Sequence, residues 1–244
     1  MGVLRSLATF VFVLAVPVVL VTTTVRVVFN EPRIYTYAVD EYNAVQTTGI
    51  ARSELVRAGE ELRGYLNSSN DGAELRINVI QDNISTPLFK PNEASHLKDV
   101  RDRIIWSNRA QLIAALYVLS YVAMAVLWSR EVSTRGLAKA TLVSSLLTLI
   151  GVGVVGAMSA SGFEGAWEKF HEIFFSDNYR FNPVTDHLIQ IYPELFWQNV
   201  VTFIGILIFA EAFLLLVASV IFLGVTHQKR QPERRLATTH QALA

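Results

Sequence analysis

Four stretches of this chain are apolar for about 20 residues, and nothing else in the sequence limits its fold so tightly. A helix needs about 20 residues, at about 1.5 Å each, to cross the roughly 30 Å hydrocarbon core of a bilayer. The stretches at 7–28, 110–128, 137–158 and 200–225 reach that length. With no water inside the bilayer, every backbone N–H and C=O must be paired within its own segment, so these stretches form helices; a barrel would show short alternating runs instead. The fold class expected is an all-α membrane protein with four transmembrane helices. The remaining residues hold most of the charge, and Lys+Arg equals Asp+Glu at 21 each. That balance offers no basic face for nucleic acid.

Basic residues beside short loops stay in the cytoplasm. Arg5 precedes the first span, Arg130, Arg135 and Lys139 surround the loop between the second and third, and Lys229, Arg230, Arg234 and Arg235 follow the fourth. All three clusters fall on one side. The expectation is a multi-pass protein of the cell membrane with both termini and the tail 226–244 cytoplasmic. The segments 30–109 and 159–199 then form a small, mostly helical extracytoplasmic cap on a single integral unit. The first span reads as an uncleaved anchor, because its apolar run exceeds a signal-peptide core and Val-Thr-Thr-Thr-Val-Arg follows it in place of a small-x-small cleavage site. The chain has no cysteine, which excludes disulfides, thiol catalysis and cysteine-based metal sites.

Within the cap, apolar residues at three- and four-residue spacing (Leu55, Ala58, Leu62, Tyr65) predict one or two amphipathic helices over 37–66, ended by the turn-forming run 67–72. Alternation of Leu75, Ile77 and Val79 predicts a short strand. After Pro87 and Pro91 the chain re-enters a helix at Asn92 or Ser95, carrying Glu93, His96 and Asp99 toward the second span. In the second segment Trp167, Phe170, His171, Phe174 and Phe175 recur at helical spacing. An aromatic-rich turn follows with Asp177, Tyr179, Phe181 and Pro183, and then Tyr192, Pro193, Glu194 and Trp197 open the last span, with Pro193 in its first turn. The plain reading of these rings is an interfacial aromatic belt.

Two blocks support a sharper reading. Glu93-x-x-His96-Leu97-x-Asp99-Val100 is one; the other is Phe170-His171-Glu172-Ile173-Phe174-Phe175 with Asn178-Tyr179-Arg180-Phe181 and Tyr192-Pro193-Glu194-Leu195-Phe196-Trp197. Together with the plan of four spans and two outer segments they resemble the lipoprotein intramolecular transacylase (Lit) family. One position departs, Tyr179 standing where the family often has tryptophan. The resemblance implies an acyltransferase that takes a diacylglyceryl-modified lipoprotein and moves its sn-2 acyl chain to the amine of the N-terminal cysteine. It implies His96 and His171 as the catalytic pair, with membrane lipids as further partners. Asp99 and Glu93, and the rings of Trp167, Phe170, Phe174, Phe175, Tyr179, Phe181, Tyr192 and Trp197, are expected to support the pair or line the substrate site. No cofactor or metal is expected.

The residue types suit that chemistry. Ester-to-amide transfer needs a base for the attacking amine, a donor for the tetrahedral oxyanion and an acid for the departing glyceryl oxygen. Imidazole, with a reference pKa of about 6.5, can take either proton role. Because amine and ester share one molecule, no acyl-enzyme and no Gly-x-Ser-x-Gly elbow is needed. Asp99, one turn beyond His96, is placed to orient its ring. His187 reads as an exposed or interfacial residue, while His227 and His240 fall on the cytoplasmic side. Glu211, inside the fourth span, is an ionisable group in a costly position. The alternatives are a different lipid-directed activity, such as a zinc hydrolase built on His96, His171 and His187, or a non-catalytic membrane scaffold. A haem carrier would need histidines on the spans, and a transporter more intramembrane polar groups.

Overall fold

The computed structural model describes residues 2–68, 74–128, 133–175 and 179–242, with side chains described as far as His227. Among them run α1 (Gly2–Asn30), α2 (Pro32–Glu41), α3 (Ala44–Thr48), α4 (Arg52–Leu66), β1 (Asn78–Gln81), β2 (Ile84–Pro87), α5 (Pro91–Leu127), α6 (Thr134–Ser161), α7 (Phe163–Phe174), α8 (His187–Ile191) and α9 (Glu194–Ala242). Four of the helices, α1, α5, α6 and α9, are long and apolar enough to cross a membrane. The expected turn at 69–72, Arg130, Asp177 and Asn178, and the side chains of Lys229, Arg230, Arg234, Arg235 and His240 lie outside the described residues.

The helices outrun the apolar stretches, because a helix end is set by its cap and not by hydropathy. The clearest case is α5, which starts at Pro91 and runs unbroken through a charged half, with Glu93, Lys98, Asp99, Arg101, Asp102, Arg103 and Arg109, before its apolar half begins at Ala110. Along the spans the large side chains face outward: Ile113 is 70% exposed, Ile150 63% and Leu214 68%. In water such a surface would be untenable, and in a bilayer it meets lipid.

The chain divides into two compact units. The first comprises 1–21, 111–153 and 207–244. Its core is Phe12, Val16, Tyr121, Ala125 and Ala140, with the Phe12 and Tyr121 rings stacked at 4.4 Å. Thr9 Oγ1 and the Tyr121 hydroxyl share a 2.8 Å hydrogen bond, and Tyr117 donates to the Ala8 carbonyl at 2.7 Å. Buried Ser144, Ser145 and Thr148 turn their hydroxyls onto carbonyls of α6 itself, those of Ala140, Thr141 and Ser144. Their polar atoms are thereby satisfied while the small side chains permit close packing.

The second unit comprises 22–110 and 154–206. Where one or two amphipathic helices were expected over 37–66 there are three, because Asn43 and Gly49 adopt left-handed conformations (φ 55° and 68°) on either side of α3. Ala38, Val39, Ile50, Leu55, Ala58 and Leu62 are buried among them. Gly59 lets α4 approach α2, since a Cβ there would sit 3.0 Å from the Tyr35 Cβ. The expected strand begins at Asn78, later than the alternation suggested, although Ile77 and Val79 do point inward. Its partner β2, unforeseen from the sequence, pairs antiparallel with Val79 opposite Thr86. Asp82 and Asn83, both at positive φ (51° and 61°), form the tight turn between them, as a two-residue hairpin of right-handed twist requires. At the last span, Pro193 is the N-cap and not a first-turn residue: its carbonyl accepts from Phe196 N at 3.0 Å, and α9 starts at Glu194.

Candidate functional site

His96 sits near the start of α5 and His171 in the last turn of α7, and both are buried, at 6% and 8% exposure. Their ring centroids are 5.9 Å apart with 22° between the planes. The two histidines, separated by 74 intervening positions in the chain, thus meet within one unit.

Aromatic rings wall the pair. Phe175 lies 4.9 Å from His96 and 5.3 Å from His171. Phe181 packs edge-on against His96 at 5.3 Å. Around His171 stand Trp167 at 4.6 Å, Tyr179 at 5.2 Å and Phe170 at 5.5 Å. Trp197 reaches the group through Trp167, on which it stacks at 5.4 Å. Tyr192 is buried but packs on Phe196 and edge-on to Tyr35, not on a histidine. Phe174 is 43% exposed and touches Phe170. Helical spacing groups Phe170 and Phe174 with His171; Phe170 keeps its edge-on contact with that ring though 40% exposed, while Phe174 is one ring further out.

The hydrogen bonding of the two rings differs. His171 Nδ1 bonds the Trp167 carbonyl, one turn earlier, at 2.8 Å. A carbonyl only accepts, so Nδ1 carries the proton and the neutral ring keeps its lone pair on Nε2. His96 Nδ1 is buried and has no hydrogen-bond partner among the described residues. The orienting contact expected from Asp99 is therefore not made. The His96 ring packs instead against His171, Phe175 and Phe181, rings brought to it by other segments. Burial holds the His96 imidazolium well below its ordinary 6.5, at about 4, and the neighbouring His171 adds to the effect. Burial lowers His171 too, opposed by its bond to the Trp167 carbonyl. Burial thus favours the neutral form of both rings.

The flanking polar groups do structural work. Glu93 is fully buried and accepts from two backbone amides, Lys90 N at 2.7 Å and Leu188 N at 2.6 Å. His187, expected at a surface, is half-buried, with Nδ1 on the Leu88 carbonyl at 2.7 Å. Arg103, two turns beyond His96 on α5, donates from Nε to the Phe174 carbonyl at 3.0 Å, where a cation suits the negative end of α7. Arg103 was not singled out from the sequence, and neither was Arg101, which is 1% exposed and lies over the Tyr65 ring at 5.2 Å; charges on a predicted helix read as its solvated face. Among the described residues no three of His, Cys, Asp and Glu are grouped to hold a metal ion.

Fold and site define a four-span membrane protein whose polar segments bury a histidine pair in an aromatic enclosure. The family model of the lipoprotein intramolecular transacylase Lit matches residues 10–197. The chain belongs to the Lit family. An uncharacterized protein of Aquifex aeolicus (strain VF5) is 29% identical over 142 residues, 58% of this chain and 58% of that one. The chain thus spans less than two thirds of the length of that curated relative. Among solved structures, the membrane integral lipoprotein intramolecular transacylase Lit from Bacillus cereus is similar at a TM-score of 0.76 and 20% identity, over 94% of this chain and 99% of that one. The same protein with a histidine replaced by arginine gives a TM-score of 0.73 at 19% identity, over 94% and 96%. At such identity the likeness establishes the shared fold.

Proposed function

We propose that this protein transfers an acyl chain within one substrate molecule, from the sn-2 oxygen of a diacylglyceryl lipoprotein to the amine of its N-terminal cysteine, and that His96 and His171 perform the proton transfers. The observation that carries the reading is the 5.9 Å pairing of two buried imidazoles inside a ring of aromatic side chains. Membership of the Lit family supports the reaction class.

Burial disfavours the imidazolium form of both rings, so neither is taken to begin as an acid. A single proton is therefore relayed. His171 Nε2 takes it from the amine as nitrogen attacks the ester carbon. The C–O bond then breaks, and the His171 imidazolium returns the proton to the glyceryl oxygen. His96, with a ring nitrogen unpaired by protein, hydrogen-bonds the tetrahedral oxyanion while remaining neutral, a role for which its lowered basicity is suited. The aromatic wall keeps out water, which would otherwise compete with the amine. Holding both reactants in one molecule supplies up to roughly 7–11 kcal/mol of the barrier reduction.

The basic residues Arg5, Arg135 and Lys139 support an orientation with both termini cytoplasmic and the segments 30–109 and 159–199 outside, where lipoprotein N-termini mature. The test is conversion of a synthetic diacylglyceryl lipopeptide by purified protein in bilayer discs, read by mass spectrometry. A product of unchanged mass with its acyl chain on the cysteine nitrogen is expected; release of free fatty acid would make the protein a hydrolase and overturn the proposal.

A further inference from the structure

One carboxylate holds the starts of two helices next to the histidine pair. Lys90 is the N-cap of α5, its carbonyl accepting from Ala94 N at 2.9 Å. Glu93, at the third helical position, reaches back to the Lys90 N–H, the return arm of a capping box. Its second oxygen does something that a capping box does not. Asp186 occupies the N-cap of α8 without capping it, because its carboxylate accepts from Lys90 Nζ and Asn182 N, both at 2.8 Å. The Leu188 amide in the first turn of α8 is satisfied instead by Glu93 from α5, at 2.6 Å. With His187 Nδ1 on the Leu88 carbonyl, the segment 88–93 is stapled to 182–188.

These segments carry facing parts of the site. His96 follows Glu93 by one turn, and Phe181, whose ring lies 5.3 Å from His96, directly precedes Asn182. Loss of the carboxylate strands the buried Leu188 amide and the part-buried Lys90 amide at once and frees the segment that bears Phe181. Resting on the acyl-transfer reading, we propose that Glu93 is a positioning residue of the histidine pair: its carboxylate pins the segment bearing Phe181 to the helix bearing His96 and so keeps the His96 ring closed from water. Glu93 acts through His96 and carries no proton in the reaction.

The Glu93→Asp variant keeps the charge and withdraws the carboxylate by one methylene, so the two amides can no longer be spanned. The groups that bear on His96 are His171 facing it from α7, with Tyr179 behind, Glu93 and Asp99 one turn either side on α5, and the Lys90–Asp186 pair beyond Glu93. None of these changes charge in Glu93→Asp. A shift of the His96 titration then reports solvation. The experiment is NMR titration of ring-labelled histidine in purified protein, with the His96 signal assigned by its loss in His96→Ala, alongside kinetics on the diacylglyceryl lipopeptide. The His96 midpoint is expected to rise from about 4 toward 6.5, with kcat down about tenfold or more and KM within about twofold. An unmoved midpoint overturns the proposal, whether kcat falls or not, since a fall alone would make Glu93 a fold element. If Glu93→Asp does not purify as a folded species, Glu93→Gln, which keeps the length but one acceptor oxygen, is read by the same midpoint. If the wild-type protein moves no acyl chain, the acyl-transfer reading fails, and the midpoint still decides the positioning role.

Discussion

The Nδ1–H of His171 donates to the main-chain carbonyl of Trp167, one turn earlier on α7, at 2.8 Å. Because the acceptor belongs to the backbone, no side-chain change at 167 removes it, and the tautomer of His171 is built into the helix. An asparagine at 171 retains an N–H donor near the Nδ1 position but offers no base. His171→Asn should therefore fold with a near-native melting temperature and lose about 10² to 10⁴ in rate. A variant with more than a tenth of wild-type activity would remove His171 from the proposed mechanism.

His96→Ala should also cost about 10² to 10⁴ in rate, and the double variant with His171→Ala should be little worse than the poorer single one, because groups that act on one transition state are not additive. Lipopeptide kinetics on all three proteins provides the check. Independent, multiplying losses would mean that the 5.9 Å pair does not work as a unit.

The depressed basicity of His96 links stability to pH with a defined sign. Between about 4 and 6.5 the unfolded chain binds a proton at this position that the folded protein excludes. Stability contributed by the neutral, buried ring is thus complete above 6.5 and is lost as the pH falls toward about 4. The slope is at most about 1.4 kcal/mol per pH unit for each such group. Thermal unfolding in detergent should show a lower midpoint at pH 5 than at pH 7, and His96→Phe should flatten the difference. Equal slopes in the two proteins would mean that His96 is not closed from water.

Phe175 is 7% exposed and fills the space beside both imidazoles. Phe175→Ala should destabilise the second unit by about 3 kcal/mol and admit water to the pair. Its kcat should fall and a hydrolytic side product, free fatty acid, should appear in the lipopeptide assay. Phe174→Ala removes a ring that is 43% exposed and should do neither.

Two glycines of α4 should respond oppositely to alanine. At Gly59 the new methyl would meet the Tyr35 Cβ at 3.0 Å, while at Gly64 nothing lies within 4 Å. Gly59→Ala should cost about 1–3 kcal/mol by overpacking α4 on α2, and Gly64→Ala should stabilise by about 0.5–1 kcal/mol through helix propensity. Paired melting curves decide the matter, and a stabilising Gly59→Ala would contradict the close approach of the two helices.

The four spans could be read from the sequence because the bilayer imposes one length and one hydrogen-bonding solution on any segment that crosses it, so composition over a window is enough. The histidine blocks were legible through their resemblance to a family and the residues that surround each one. Periodicity ranked the rings less well: it placed Phe174 with His171, whereas Phe174 is 43% exposed and packs on Phe170, the ring that does stand beside His171. The strand was sensed at Ile77 and Val79, while β2 was missed, since Ile84–Pro87 alternates only weakly and is held by its partner and by the positive φ of Asp82 and Asn83. What no local pattern carried is which partner each polar group takes. Asp99 stands at the right spacing for His96 and does not bond it, and Glu93 looks like half of a helix cap yet also satisfies an amide 95 positions away. Periods along a chain are short-range quantities that one helix can express alone. A buried carboxylate or imidazole chooses among donors and acceptors brought to it by other elements, and only tertiary packing supplies those.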